Sequence, residues 1–138
     1  MKGKMLLGIL VVGMLVAPLI HTTKAALEGD IAVADISCIS RPITYDNDEK
    51  FKAQISNDGD SGIYVDVKWY LDGVFIKQQS NIYVPANDNS WTPYVTIHWP
   101  DDFYYHKVSA KVIISDSNPN NNERNEWFRA SLITPITT

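Results

Sequence analysis

The chain has 138 residues, 16 acidic against 12 basic, a formal charge of −4 and one cysteine. That balance argues against nucleic acid and anionic membrane surfaces as partners, since both require clustered Lys and Arg, and a single cysteine excludes an intrachain disulfide. The length suits one domain, which buries roughly two thirds of the surface its unfolded chain exposes.

Lys2 and Lys4 precede sixteen uncharged residues, Met5 to Ile20, and small residues follow near Ala25. This pattern predicts a cleavable secretory signal over residues 1–25, helical in its apolar part. The apolar run is shorter than the roughly 18–20 residues of a spanning helix and contains Pro18. No stable membrane insertion after cleavage is expected. Removing residues 1–25 takes away Lys2, Lys4 and Lys24, leaving 113 residues with a formal charge of −7.

From residue 26 to 138 a single all-β domain is expected, because the hydrophobic period is two almost throughout. In the first strand Ile31 and Val33 share one parity, Ile36 and Cys38 the other, so a bulge or sheet switch near Ala34 is predicted. Cys38 reads as a small buried hydrophobe. Phe51, Ala53 and Ile55 form the inner row of a second strand. Ile63, Val65, Val67, Trp69 and Leu71 face inward on a third, with Tyr64, Asp66, Lys68 and Tyr70 outward. Asp72-Gly73 then supplies the pair preferred by a two-residue type I′ turn. This turn places Leu71 opposite Val74, Tyr70 opposite Phe75 and Trp69 opposite Ile76.

Trp91, Pro93, Val95, Ile97 and Trp99 predict one further strand, placed at a sheet edge by Pro93. Val108, Ala110, Val112 and Ile114 make another inner row, and residues 126–133 a last strand. Between these two lies Asp116 to Glu126, whose five asparagines and proline mark a wide turn. Strand signals every 10–15 residues, separated by turn clusters, predict an immunoglobulin-like antiparallel sandwich of about seven strands.

Several dispersed segments carry a family resemblance: Asp30-Ile-Ala-Val33, Asn57 with Gly59, Tyr70-Leu-Asp-Gly73, Ile97-His-Trp99 and Asn122-Glu-Arg-Asn125. In order and spacing the chain resembles CARDB, the cell-adhesion-related domain found in bacteria, an immunoglobulin-like or fibronectin-III-like sandwich. The resemblance implies adhesion or ligand presentation and no particular chemistry. Glu126 stands where a second asparagine is usual in that family.

Tyr64, Tyr70 and Phe75 fall on the outer face of the hairpin, where a flat aromatic strip suits sugar rings or a protein partner. The same pairs also stabilise a sheet by about 0.2–1 kcal/mol without binding anything. Asp116, Asn118, Asn120 and Glu123 offer hard oxygens for calcium. They serve equally to satisfy backbone groups in a long turn, and no Asp-x-Asp-x-Asp-Gly spacing supports the cation. Asp46 to Glu49 reads as a solvated turn. Trp69, Trp99 and Trp127 read as core or core-edge residues.

His98, Asp101, Asp102 and His106 offer a bracket for a zinc ion across a turn, but their spacing matches no zinc pattern. No nucleophile motif accompanies either histidine. A minimal hydrolase would need one of them beside a carboxylate and a hydroxyl.

The expectation is therefore a secreted, non-enzymatic module, extracellular or loosely surface-associated. It binds a cell-surface glycan or protein, or spaces other domains, without a cofactor unless calcium occupies the Asn-rich loop. The alternative is a secreted inhibitor or accessory subunit presenting a loop to an extracellular enzyme.

Overall fold

The structure, a computed structural model, describes residues 30–40, 42–114 and 122–132. The expected signal segment lies outside them. Eight antiparallel strands occur among the described residues, and no helix. They are β1 Ile31–Cys38, β2 Asp48–Asn57, β3 Ile63–Leu71, β4 Val74–Val84, β5 Asp88–Trp91, β6 Val95–His98, β7 His106–Ile113 and β8 Glu123–Phe128.

One sheet runs β1-β2-β5, with β6 also on β2, and the other runs β4-β3-β7-β8. Their inner rows meet in one core that includes Phe51, Trp69, Trp99, Val67, Val108 and Ala110. Phe51 stacks on Trp99 with ring centroids 5.8 Å apart and meets Phe128 edge-on at 5.3 Å. Cys38 is buried among these residues, as its apolar character requires.

The parity conflict in β1 resolves as expected. Its pairing with β2 shifts between Val33 and Asp35, so Ala34 is the extra residue and Ile31, Val33, Ile36 and Cys38 are all buried. The hairpin turn has φ of 51° at Asp72 and 82° at Gly73, the two positive values of a type I′ turn. Leu71 faces Val74 and Tyr70 faces Phe75 as predicted. Trp69, however, pairs with Lys77 instead of Ile76, because the ladder slips by one residue between Trp69 and Tyr70.

Three further expectations need correction. The strand expected over 91–99 is two strands, β5 and β6, lying end to end along β2. Pro93 cannot donate a ladder bond, and Thr92 takes over: its N–H donates to the Ala53 carbonyl at 2.8 Å and its hydroxyl accepts from the Ala53 N–H at 3.0 Å. The break flips the parity before it, so Thr92 is buried while Trp91 is exposed. The last strand occupies Glu123–Phe128, not 126–133. On it Arg124 pairs with Ala110 and Glu126 with Val108, which turns those two side chains inward and Trp127 outward. Trp127 is 60 % exposed and is not a core residue, unlike Trp69 and Trp99 at 0 %. Inward charges on an edge strand discourage a further strand from adding there, and the Arg124 Nε donates to Glu126 Oε2 at 2.8 Å.

Candidate functional site

The outer face of β3 and β4 carries Tyr64, Tyr70 and Phe75, as expected, but they do not form one strip. Tyr70 meets Phe75 edge-on at 5.9 Å, and Tyr64 meets Tyr83 at 5.0 Å. Six residues of strand, about 20 Å, separate Tyr64 from Tyr70. Asp66 and Lys68 lie between them, with Asp66 accepting from Gln78 Nε2 and from the Asn81 N–H, both at 3.1 Å. Each pair is thus a local cross-strand contact with polar ground between.

Of the calcium candidates, Asp116, Asn118 and Asn120 lie outside the described residues. Glu123 opens β8 opposite Lys111 and is exposed.

His98 and His106 occupy separate clamps. His98 Nδ1 lies 2.8 Å from Asp48 Oδ1 and its Nε2 3.0 Å from Asp46 Oδ1. His106 Nδ1 lies 2.6 Å from Asp72 Oδ2 and its Nε2 2.7 Å from Asp102 Oδ1. Among the described residues no group of three or more His, Cys, Asp and Glu is arranged to hold a metal ion. The zinc bracket of His98, Asp101, Asp102 and His106 does not assemble.

The His106 clamp ties the β3–β4 turn to the start of β7, where Asp72 also accepts from the Lys107 N–H at 2.8 Å, and through Asp102 to the segment between β6 and β7. A neutral imidazole donates through one nitrogen only, so two carboxylate partners favour the cation. Burial pushes the His106 pKa down, but the hydrogen bonds with Asp102 and Asp72 outweigh it and leave the pKa raised from 6.5. Asp102 is lowered from 3.8, chiefly by its hydrogen bond with His106 and then, against desolvation, by the Tyr104 N–H. A raised histidine stabilises the fold below its unfolded pKa and ceases to do so as pH rises through its folded one; a lowered carboxylate does so above its unfolded pKa and fails as pH falls. The clamp therefore contributes most between about pH 4 and 6.5. The melting-temperature difference between wild type and His106→Gln is expected to be largest in that window and to shrink toward pH 9. A difference that is constant from pH 5 to 9 contradicts this assignment.

Where β8 ends, the chain runs beside the segment following β1, and the Ser131 N–H donates to the Ile43 carbonyl at 2.9 Å. A groove of about 560 Å³ opens there, with Pro42, Tyr105, Trp127, Arg129 and Leu132 around it and Ile43, Phe128 and Ala130 among its lining. Its volume falls in the range of small-ligand sites, roughly 300–1,000 Å³. Ile43 and Ala130 are buried, whereas Tyr105, Trp127 and Leu132 are 58, 60 and 69 % exposed. The Arg129 guanidinium carbon lies 4.9 Å from the centre of the Tyr105 ring. Among the described residues this arrangement joins an apolar floor to open aromatic walls and the Arg129 cation.

No protein-family model matches the sequence, and no curated protein matches it either. Solved structures do. The CARDB domain of the PF1109 protein from Pyrococcus furiosus, in complex with di-metal ions, superposes with a TM-score of 0.58 at 17 % identity, over 75 % of this chain and 89 % of that one. The solution structure of the PF1109 CARDB domain gives a TM-score of 0.61 at 16 % identity, over 75 % and 96 %. The chain has a CARDB-like fold. A domain covering residues 272–376 of a candidate cell-surface protein from Methanosarcina acetivorans matches with a TM-score of 0.56 at 16 % identity, over 76 % and 94 %.

Within this CARDB-like sandwich, sequence reasoning missed the groove for a definite reason. Trp127 stands between Glu126 and Phe128, and with inner positions filled by Arg124 and Glu126 the usual apolar-inward rule misassigns its face. Tyr105 lies in a loop, where no periodicity exists to orient it. The readable signal was the pairing register: Lys107 opposite Trp127 fixes both on the outer face of the CARDB-like sheet.

Proposed function

We propose that this CARDB-like domain is a secreted, non-enzymatic binding module that works at the cell surface and takes a glycan in the groove beside Trp127. The observation that carries the reading is a tryptophan 60 % exposed at the mouth of a groove with a buried floor. A large flat ring loses little conformational freedom on binding and offers its face to a sugar ring. The fold likeness to CARDB domains and to a domain of a candidate cell-surface protein agrees with this role. So does the state of His98 and His106: both ring nitrogens of each face carboxylates, leaving neither free to take a proton from a nucleophile.

Co-sedimentation with insoluble cell-wall polysaccharide separates the sites. Wild type and the Tyr70→Ala, Phe75→Ala double variant are expected to sediment alike. Trp127→Ala is expected to lose at least ~2 kcal/mol of binding, roughly thirtyfold in Kd. Loss of binding in the double variant with Trp127→Ala unaffected would move the site to the outer face of the hairpin. Capture of a stoichiometric secreted enzyme in place of polysaccharide would favour the inhibitor or accessory-subunit reading.

A further inference from the structure

We propose that the groove selects an anionic sugar, a ring bearing a carboxylate, and that Arg129 is the residue that reads the charge. This rests on the reading of the groove as a glycan site and names the class of glycan. The chain as a whole is acidic, yet among the described residues that line the groove Arg129 is the only charged one. The described lining thus carries the opposite sign to the chain's net charge.

The contrast with Arg124 is informative. Arg124 is half-buried and neutralised by Glu126 at 2.8 Å. Arg129 is exposed, has no carboxylate partner among the described residues, and lies over the Tyr105 ring. A guanidinium stacked on an aromatic face is held in orientation while its N–H edge stays open, which is the geometry for bidentate capture of a carboxylate. Trp127, two residues earlier, supplies the flat face for the ring that carries that carboxylate. Lys107, directly opposite Trp127 in the sheet, adds a second cation on the same outer face. The acidity of the rest of the surface then favours a sugar with isolated carboxylates over a dense polyanion, which the surrounding charge repels.

The test is calorimetric titration of the purified protein with galacturonate, glucuronate and mannuronate tetrasaccharides and with their methyl esters, which keep the shape and remove the charge. At least one acid is expected to bind tenfold or more tighter than its ester. Arg129→Gln should abolish that preference, and Arg129→Lys, which keeps the charge but not the fork, should retain only part of it. Both substitutions are on an exposed side chain, and an unchanged melting temperature verifies the fold.

Equal binding of acid and ester by wild type, with Trp127→Ala abolishing both, overturns the role of Arg129 and leaves the groove as a neutral glycan site. Binding of every sugar unaltered by Trp127→Ala, or no binding of any of them, overturns the groove reading itself. A sulfated galactose tetrasaccharide bound more tightly than every uronate would also overturn the carboxylate assignment.

Discussion

Trp69→Ala is expected to lower the unfolding free energy by about 3–5 kcal/mol, measured by urea denaturation, which is a large part of the 5–15 kcal/mol that holds a typical domain. Trp69 is wholly buried on β3, so the substitution opens a cavity at the centre of the core. It also removes a connection between the sheets. The indole N–H donates to Gln79 Oε1 at 2.7 Å, and Gln79 Nε2 donates to the Pro93 carbonyl at 2.9 Å between β5 and β6. Trp69→Phe keeps the six-membered ring and loses the hydrogen bond and the smaller part of the buried volume, so it should fall short of the alanine effect. A Trp69→Ala cost below about 1 kcal/mol would contradict the core assignment.

Asn57→Ala is expected to cost about 2–4 kcal/mol, because it leaves buried backbone groups without partners. The Asn57 side chain is 2 % exposed at the end of β2. Its Nδ2 donates to the Ser61 carbonyl at 2.8 Å and to the Val84 carbonyl at 3.3 Å, and its Oδ1 accepts from the Gly59 N–H at 2.8 Å. One side chain thereby shapes the β2–β3 turn and fastens it to the end of β4. Asn57→Asp preserves the acceptor but sets a buried carboxylate oxygen against the Ser61 and Val84 carbonyls, so at neutral pH chemical denaturation should rank it no more stable than alanine. Equal stability of all three would show that the turn finds its own partners.

Much of the fold was legible where local chemistry leaves one answer. Asp72-Gly73 admits little but a type I′ turn, and the incompatible parities of Ile31, Val33, Ile36 and Cys38 required the bulge at Ala34. Reading failed where a tertiary or edge effect overrode the pattern. At Thr92-Pro93 a hydroxyl replaced a ladder group and reversed the parity of Trp91. In β4 the polar run Lys77 to Asn81 hid a strand continuing to Ile82 and Val84, which are buried beyond a positive φ of 60° at Asn81. On β8 the inward charges Arg124 and Glu126 disguised the outer face.

The site followed the same logic. Tyr64, Tyr70 and Phe75 were correctly placed outward, but only the registers reveal that they belong to two separated pairs. The groove depends on the meeting of residues 42–43 with 127–132, a contact distant in sequence that no local period encodes.

The most direct test of the central claim uses the indole N–H resonances of the four tryptophans during titration with the uronate tetrasaccharides. The account predicts that the Trp127 signal shifts and saturates with the sugar while those of buried Trp69 and Trp99 stay in place. Saturable binding that leaves Trp127 unmoved and perturbs the amides of Tyr70 and Phe75 would contradict it.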